Sequence, residues 1–138
     1  MLHPTPSSTP LVSVIMPIHD LRAQVGAAIA SLRAQSLGDF EAIIIDDGSR
    51  DGSDLVAGAA IGGDPRFQLI RFENRGLSAA RNAGLDRARG RYLAFLDGDD
   101  RWRDSFLARM ITFIEAERAD WVACAFRDIH PAGPGRIH

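Results

Sequence analysis

Three carboxylates crowd residues 97–100 of "RYLAFLDGDD", where the apolar run Tyr92-Leu93-Ala94-Phe95-Leu96 meets Asp97, Gly98, Asp99 and Asp100. Like charges a few ångströms apart repel and raise one another's pKa, a cost that folding alone gives no reason to accept. A positive partner belongs there. A second acidic pair, Asp46-Asp47, ends the apolar run Ile43-Ile44-Ile45 and opens "DDGSRDGS". A carboxylate fixed at a strand end is well placed to accept a hydrogen bond from an N–H group of a ligand, such as a nucleotide base. A third group, Asn74, Arg75, Arg81 and Asn82 of "ENRGLSAARNAGLDRARG", offers guanidiniums that could meet phosphate or pair with the acidic cluster. Each group also has a plainer explanation. Asp and Gly crowd turns, Asp100 or Asp104 could cap the helix that follows, Ser49 or Ser53 could cap another, and an arginine on a helix is commonly solvated.

The elements that must position these residues alternate. "LVSVIMPI" (11–18) reads as a buried strand, and Leu21, Val25, Ala28, Ile29 and Leu32 share one helical face over 21–35. Strand two is 40–46, a Gly- and Ala-rich helix lies at about 53–61, strand three is 66–73, and a helix follows at 78–89 whose small residues Ala79, Ala80, Ala83 and Gly84 imply close approach to another backbone. Strand four is 91–97. Helix 103–118 turns Phe106, Leu107, Met110, Phe113 and Ile114 inward, and "DWVACAF" (120–126) is a fifth strand holding Cys124 as a buried structural thiol. This alternation predicts an α/β, doubly wound, mostly parallel sheet with right-handed crossovers, whose ligands bind outside the carboxyl ends of the strands where strand order reverses. The acidic groups end strands two and four, and Pro17-Ile18-His19-Asp20 ends strand one.

Composition narrows the chemistry. The 138 residues suit one domain, here spanning 11–128, with a loose tail at 1–10 and a Pro/Gly-rich loop at 129–138. A net charge of −2 without a basic stripe gives no reason to expect nucleic acid or anionic lipid as a partner. All 16 basic residues are arginine, which reads first as codon bias but excludes Schiff-base lysine chemistry and a P-loop lysine. A single cysteine excludes an internal disulfide, and "MLHPTPSSTP" lacks the apolar core of a signal peptide, so the expected location is cytoplasmic. His3, His130 and His138 receive no role, whereas His19 at a strand end is a candidate ligand contact.

Asp97-Gly98-Asp99 resembles the DxD motif of nucleotide-sugar transferases. A nucleoside diphosphate is an anion, so carboxylates hold it only through a bridging hard cation, and Mg²⁺ or Mn²⁺ is often bound by one or two carboxylates with phosphates and waters completing the shell. Gly98 would let the backbone turn so that both side chains face one point. Together, "VSVIMPIHD", "AQSLGDFEAIIIDDGSRDGS" and "NRGLSAARNAGLDRARGRYLAFLDGDD" resemble the successive blocks of the family 2 inverting glycosyltransferases, over about residues 11–128 in order and spacing.

The resemblance implies a Rossmann-like sheet of GT-A type ending after about the fifth strand, and a metal-dependent transfer of sugar from a nucleotide-diphosphate donor to an acceptor hydroxyl with inversion. It places the base near the Pro17 backbone and the Asp47 side chain, with Asp46 supporting. Asp97 would face ribose or metal, Asp99 would ligate the metal, and Asp100 would be a second candidate ligand. Asn74, Gly76 and Arg81 would line the nucleotide pocket. His19-Asp20 departs from the family's more usual aromatic-Asn pair. The implied cofactor is Mn²⁺ or Mg²⁺ and the implied partner a nucleotide-diphosphate sugar, UDP-sugars first. The acceptor, a saccharide, lipid or protein, is left open, as is homo-oligomerisation through an exposed sheet edge. The family's catalytic base is expected beyond residue 138, so the chain would bind donor but transfer slowly or not at all, and a longer form could associate with a membrane. Two other classes stand beside this one. A receiver-like domain would need a lysine that this chain lacks, and a noncatalytic nucleotide-sugar-binding or interaction module remains the alternative. An NAD(P) oxidoreductase is excluded because "PIHDLRAQVG" lacks the Gly-x-Gly-x-x-Gly cradle.

Overall fold

In the computed structural model, which describes residues 9–130 and 133–138, the four-stranded sheet has the order β3-β2-β1-β4, built from β1 (Val12–Ile18), β2 (Phe40–Asp47), β3 (Phe67–Phe72) and β4 (Tyr92–Phe95). All its pairings are parallel. The central strands β1 and β2 are buried along their whole length, which is why they read as near-continuous apolar runs rather than alternating ones. Edge strand β4 alternates, leaving Leu93 and Phe95 about half exposed.

Four helices connect the strands: α1 (Val25–Arg33), α2 (Ser53–Ile61), α3 (Leu77–Leu85) and α4 (Phe106–Glu117). Helix α1 buries Val25, Ala28, Ile29 and Leu32, the i, i+3, i+4, i+7 stripe of its sequence. These residues, with Ala57 of α2 and Leu107 of α4, pack against Val12, Val14, Met16 and Ile44 in the larger core. Helix α3 covers the other face, where Ala80 meets Ile43 and Ile45. A Cβ at Gly84 would lie 2.5 Å from Cγ2 of Ile15, so the small residues of α3 do permit a close approach to the sheet. Among the described residues no helix is long and apolar enough to cross a membrane.

The C-terminal expectations differ from the structure. Residues 121–126 form no strand, Trp121 and Phe126 are exposed, and Cys124 is exposed rather than buried. An apolar run becomes a buried strand only beside a ladder partner, and nothing among the described residues pairs with it in the main sheet. In place of a loop at 129–138, β5 (Arg127–His130) and β6 (Gly133–Ile137) form an antiparallel hairpin. Helix α4 begins at Phe106, and Phe113 points outward at 52% exposure, while Ile111 packs on the core. The greater part of the expected 1–10 tail, including His3, lies outside the described residues.

At the sheet edge opposite the acidic strand ends, one buried polar network fixes the α3–β4 turn. The Ser13 hydroxyl donates to Glu41 Oε1 at 2.7 Å, and the Arg89 backbone N–H and guanidinium both donate to the Glu41 carboxylate. Gly90 N–H donates to Ser13 Oγ at 2.7 Å. A Cβ on Gly90 would lie 2.4 Å from the Ser13 nitrogen, so only glycine fits there. Burial pushes the Glu41 carboxyl up, but hydrogen bonds from Ser13 and Arg89 and the Arg89 charge outweigh it and lower the pKa.

Three substitutions test this packing by their effect on stability. Gly90→Ala should cost about 1–3 kcal/mol in urea unfolding through overpacking. By contrast Gly58→Ala, inside α2 with nothing within 4 Å of the added methyl, should gain about 0.5–1 kcal/mol. Glu41→Gln should cost about 2 kcal/mol at neutral pH. Since the folded pKa of Glu41 is depressed, its contribution is complete above the unfolded value of about 4.5 and is lost as pH falls through the folded value. The gap between wild type and Glu41→Gln should therefore narrow in unfolding titrations below that pH; a constant gap would exclude the network.

Candidate functional site

Strand β2 ends in two carboxylates that the fold has taken out of water. Asp46 is fully buried, and its Oδ1 accepts the Ser49 N–H at 3.1 Å and the Ser49 hydroxyl. Its Oδ2 has no hydrogen bond, but Arg71 Nη1 of β3 stands 3.5 Å away. Asp47, 5% exposed, accepts the Arg75 N–H at 2.7 Å on one oxygen and the Gly76 N–H at 2.8 Å on the other. The backbone between β3 and α3 is thus hung on Asp47. Each carboxylate oxygen has a second lone pair, so capacity for a ligand N–H remains. Gly48, at φ +74, leaves room for that loop, since a Cβ there would lie 2.8 Å from the Asn74 nitrogen.

The loop after β1 is tied to the turn after β2. Asp20 takes a positive φ of 49°, a conformation that Asp and Asn tolerate better than most residues. Its N–H donates to Ser49 Oγ at 3.0 Å, and its carboxylate accepts the Arg50 N–H at 2.8 Å. The Leu21 N–H donates to Ser53 Oγ at 2.7 Å and the Arg22 N–H to Asp51 Oδ2 at 2.9 Å. Ser49 and Ser53 therefore do not cap a helix with their side chains; each hydroxyl donates to a nearby carboxylate and accepts an N–H from the facing loop. The Asp51 carboxyl is held below the usual range, chiefly by the Ser53 hydroxyl and then by the Arg22 and Ser53 amides, despite some desolvation. His19 Nδ1 lies 2.8 Å from the Asp47 carbonyl oxygen. A carbonyl only accepts, so that nitrogen carries the hydrogen. Nε2 faces Asp20 Oδ2 at 3.5 Å.

Past β4 the carboxylates are exposed to water. Asp97 Oδ1 is paired with Arg81 Nη2 of α3 at 2.9 Å. Asp100 N–H closes the turn on the Asp97 carbonyl at 3.0 Å. The Asp100 carboxyl is pushed up, first by desolvation and then by the charges of Asp99 and Asp97. Neither Asp100 nor Asp104 serves as a side-chain cap, because α4 starts after Ser105. Gly98 is not at a positive φ; it is buried, and a Cβ would lie 2.6 Å from Ile18 Cγ2 and 2.8 Å from Leu21 Cδ1. Glycine is needed there for space rather than for a sharp turn.

On the β4 side the ladder ends at the Ile15–Phe95 pair while β1 runs on to Ile18, and a cleft of about 430 Å³ opens beyond it. Pro17 from β1 and His19 just after it, Asp47 from β2, Asn74 and Gly76 before α3, and Asp97 and Asp99 after β4 all line it. Leu77 and Ala80 of α3 add an apolar wall; the sequence pattern marked Ala80 only for close backbone packing and did not mark Leu77. Three sequence candidates stand apart from the lining: Asp46 is buried behind it, the Arg81 guanidinium is engaged with Asp97, and Asp100 lies outside. Arg71 was also missed, as its partners are distant in sequence.

Among the described residues no group of three or more His, Cys, Asp or Glu side chains is arranged to hold a metal ion alone. Two cleft carboxylates, an all-oxygen donor set and the unneutralised charge around Asp100 fit a hard cation that shares its shell with phosphate and water.

Known proteins with this sequence pattern are numerous. The chain is 38% identical over 117 residues to the uncharacterized glycosyltransferase EpsJ of Bacillus subtilis, covering 85% of this chain and 34% of that protein. It is 40% identical over 118 residues to TuaG of the same organism, a putative teichuronic acid biosynthesis glycosyltransferase, covering 85% of this chain and 45% of that one. The chain thus spans less than half the length of these relatives. Its fold matches Staphylococcus aureus TarS 1–349, crystallised with UDP and with UDP-GlcNAc, at a TM-score of 0.71 and 25% identity over 78% of this chain and 32% of TarS. It also matches the mannosyltransferase PcManGT of Pyrobaculum calidifontis in complex with GDP-Man and Mn²⁺, with a TM-score of 0.71 and 24% identity over 82% of this chain and 34% of that one. The parallel α/β sheet is that of GT-A glycosyltransferases over about a third of their length. With residues 13–137 matching Glycosyl transferase family 2, this chain belongs to that family.

Proposed function

We propose that the cleft binds the nucleoside diphosphate of a nucleotide-sugar donor, and that this chain is the donor-binding region of an inverting, metal-dependent glycosyltransferase. The observation that carries the reading is a single cleft in which a hydrogen-bond acceptor, Asp47, and two cation-seeking carboxylates, Asp97 and Asp99, stand on either side of the β1 end. TarS, with its UDP and UDP-GlcNAc complexes, supports a UDP-sugar as the donor.

In this reading Asp47 accepts an N–H of the base against the Pro17 backbone, with Asp46 supporting the turn behind it. Asn74 and Gly76 line the nucleotide, and Leu77 and Ala80 exclude water from its apolar side. Asp99, with Asp97 and Asp100 as further candidates, holds Mn²⁺ or Mg²⁺. Bound there, the cation would neutralise the diphosphate and stabilise it as a leaving group. Arg81 holds Asp97 in place and supplies positive charge beside the diphosphate. The acceptor hydroxyl then attacks the anomeric carbon in line, and one base suffices to take its proton. None of the residues named here is assigned that base.

Calorimetric titration of UDP into the chain with Mn²⁺, and again with EDTA, tests the reading, with GDP for comparison. UDP should bind with the metal, and both EDTA and Asp99→Asn should abolish or sharply weaken that binding. Absence of binding by either nucleotide in the presence of Mn²⁺ would overturn the proposal. A second variant reads the loop directly. Asp47→Asn replaces one acceptor oxygen by a donor facing a backbone N–H, so exchange of the Arg75 and Gly76 amides should speed up about tenfold or more while core amides stay protected. Unchanged exchange would mean that Asp47 does not hold that loop.

A further inference from the structure

We infer that Arg71, a residue outside the cleft, positions the Asp46-Asp47 pair for nucleotide binding. This rests on the donor-site reading above. Arg71 is the cross-strand partner of Asp46 in the β2–β3 ladder. Its guanidinium reaches three acceptors on the neighbouring turn: Nη1 pairs with Asp54 in the first turn of α2 and lies 3.5 Å from Asp46 Oδ2, while Nη2 donates to the Ser49 carbonyl at 2.7 Å.

Asp46 supplies the independent reason. Its carboxylate is wholly buried, and Oδ2 has no hydrogen-bond partner, so Arg71 is the cation that compensates this oxygen. A buried carboxylate left unpaired is expensive, and the strand end has one cheap escape, which is to swing the carboxylate toward water. That motion would carry the peptide joining Asp46 to Asp47, and with it the Asp47 carboxylate and the Asp47 carbonyl that holds His19. Arg71 blocks the escape on one side through charge and on the other by gripping Ser49. The plainer explanation is that Arg71 makes a surface ion pair with Asp54 and nothing more, since its side chain is half exposed. The two explanations differ in which partner matters.

The test measures UDP affinity with Mn²⁺ alongside thermal unfolding for four chains: wild type, Arg71→Met, Asp54→Asn and the double variant Arg71→Met with Asp46→Asn. Arg71→Met should weaken UDP binding about tenfold or more. Neutralising the stranded carboxylate in the double variant should recover most of that affinity. Asp54→Asn should lower thermal stability slightly and leave affinity unchanged. Wild-type affinity in Arg71→Met, or an equal loss in Asp54→Asn, would overturn the inference while leaving the donor site intact. Failure of the wild-type chain to bind UDP or GDP would remove the functional reading and this inference together. Should Arg71→Met not fold, Arg71→Lys takes its place. Lysine keeps the charge but cannot span three acceptors, so weakened binding supports positioning and unchanged binding refutes it.

Discussion

A strand buried on both faces cannot end in two carboxylates unless the chain around it supplies compensation. Strand β2 does end that way, and much of the local structure is that compensation. Ser49 turns back to satisfy one oxygen of Asp46, and Arg71 comes across from β3 for the other. The backbone at Arg75 and Gly76 closes on Asp47. These partners belong to three different segments, so satisfying two side chains also fixes the relative positions of the β2–α2 turn, the end of β3 and the start of α3. Buried polar groups of this kind are costly when any one partner is lost, and that cost gives the loops a defined geometry in place of the mobility usual for connecting segments.

The end of β4 is built on the opposite principle. Its carboxylates meet little compensation: Asp97 has Arg81, while Asp100 keeps a raised pKa from desolvation and from its neighbours' charges. Removing one such charge would relieve repulsion, whereas removing Asp47 would release a loop. The two acidic clusters look alike in sequence and differ in electrostatic state. One is compensated by hydrogen bonds and charge from three segments of the protein, and the other has the single guanidinium of Arg81 beside three carboxylates.

The strand and helix pattern from β1 to β4 was legible because hydrophobic periodicity reports burial, and these elements are buried or half-buried. Pro17, His19, Asp47, Asp97 and Asp99 could be singled out for their place at strand ends, Asn74 and Gly76 through the family resemblance, and all of them line the cleft. What could not be read depended on space or on distant partners. Gly98 is glycine because Ile18 and Leu21 occupy the volume of a side chain, and no local pattern encodes that. Arg71 looks like a solvated strand residue until Asp46, 25 positions earlier in the numbering, is seen beside it. Residues 120–126 have strand-like composition, but composition cannot supply the neighbour a strand needs, and there the expectations of a fifth strand and a buried Cys124 failed.

The strand order decides how the two acidic clusters can cooperate. In β3-β2-β1-β4 the acidic ends of β2 and β4 flank β1, and β4 stops pairing three residues before β1 ends. A ligand that used both clusters would have to lie across the end of β1, over Pro17 and His19, with a hydrogen-bond donor at one end and an anionic group at the other. A nucleoside diphosphate has that polarity along its length. A free phosphate would need only the β4 side, and a free base only the β2 side. Under the proposed function the joined molecule would be favoured over either part because the sheet fixes the distance between the two clusters, and the ties among Asp20, Ser49, Leu21 and Ser53 keep the β1 and β2 ends from drifting apart.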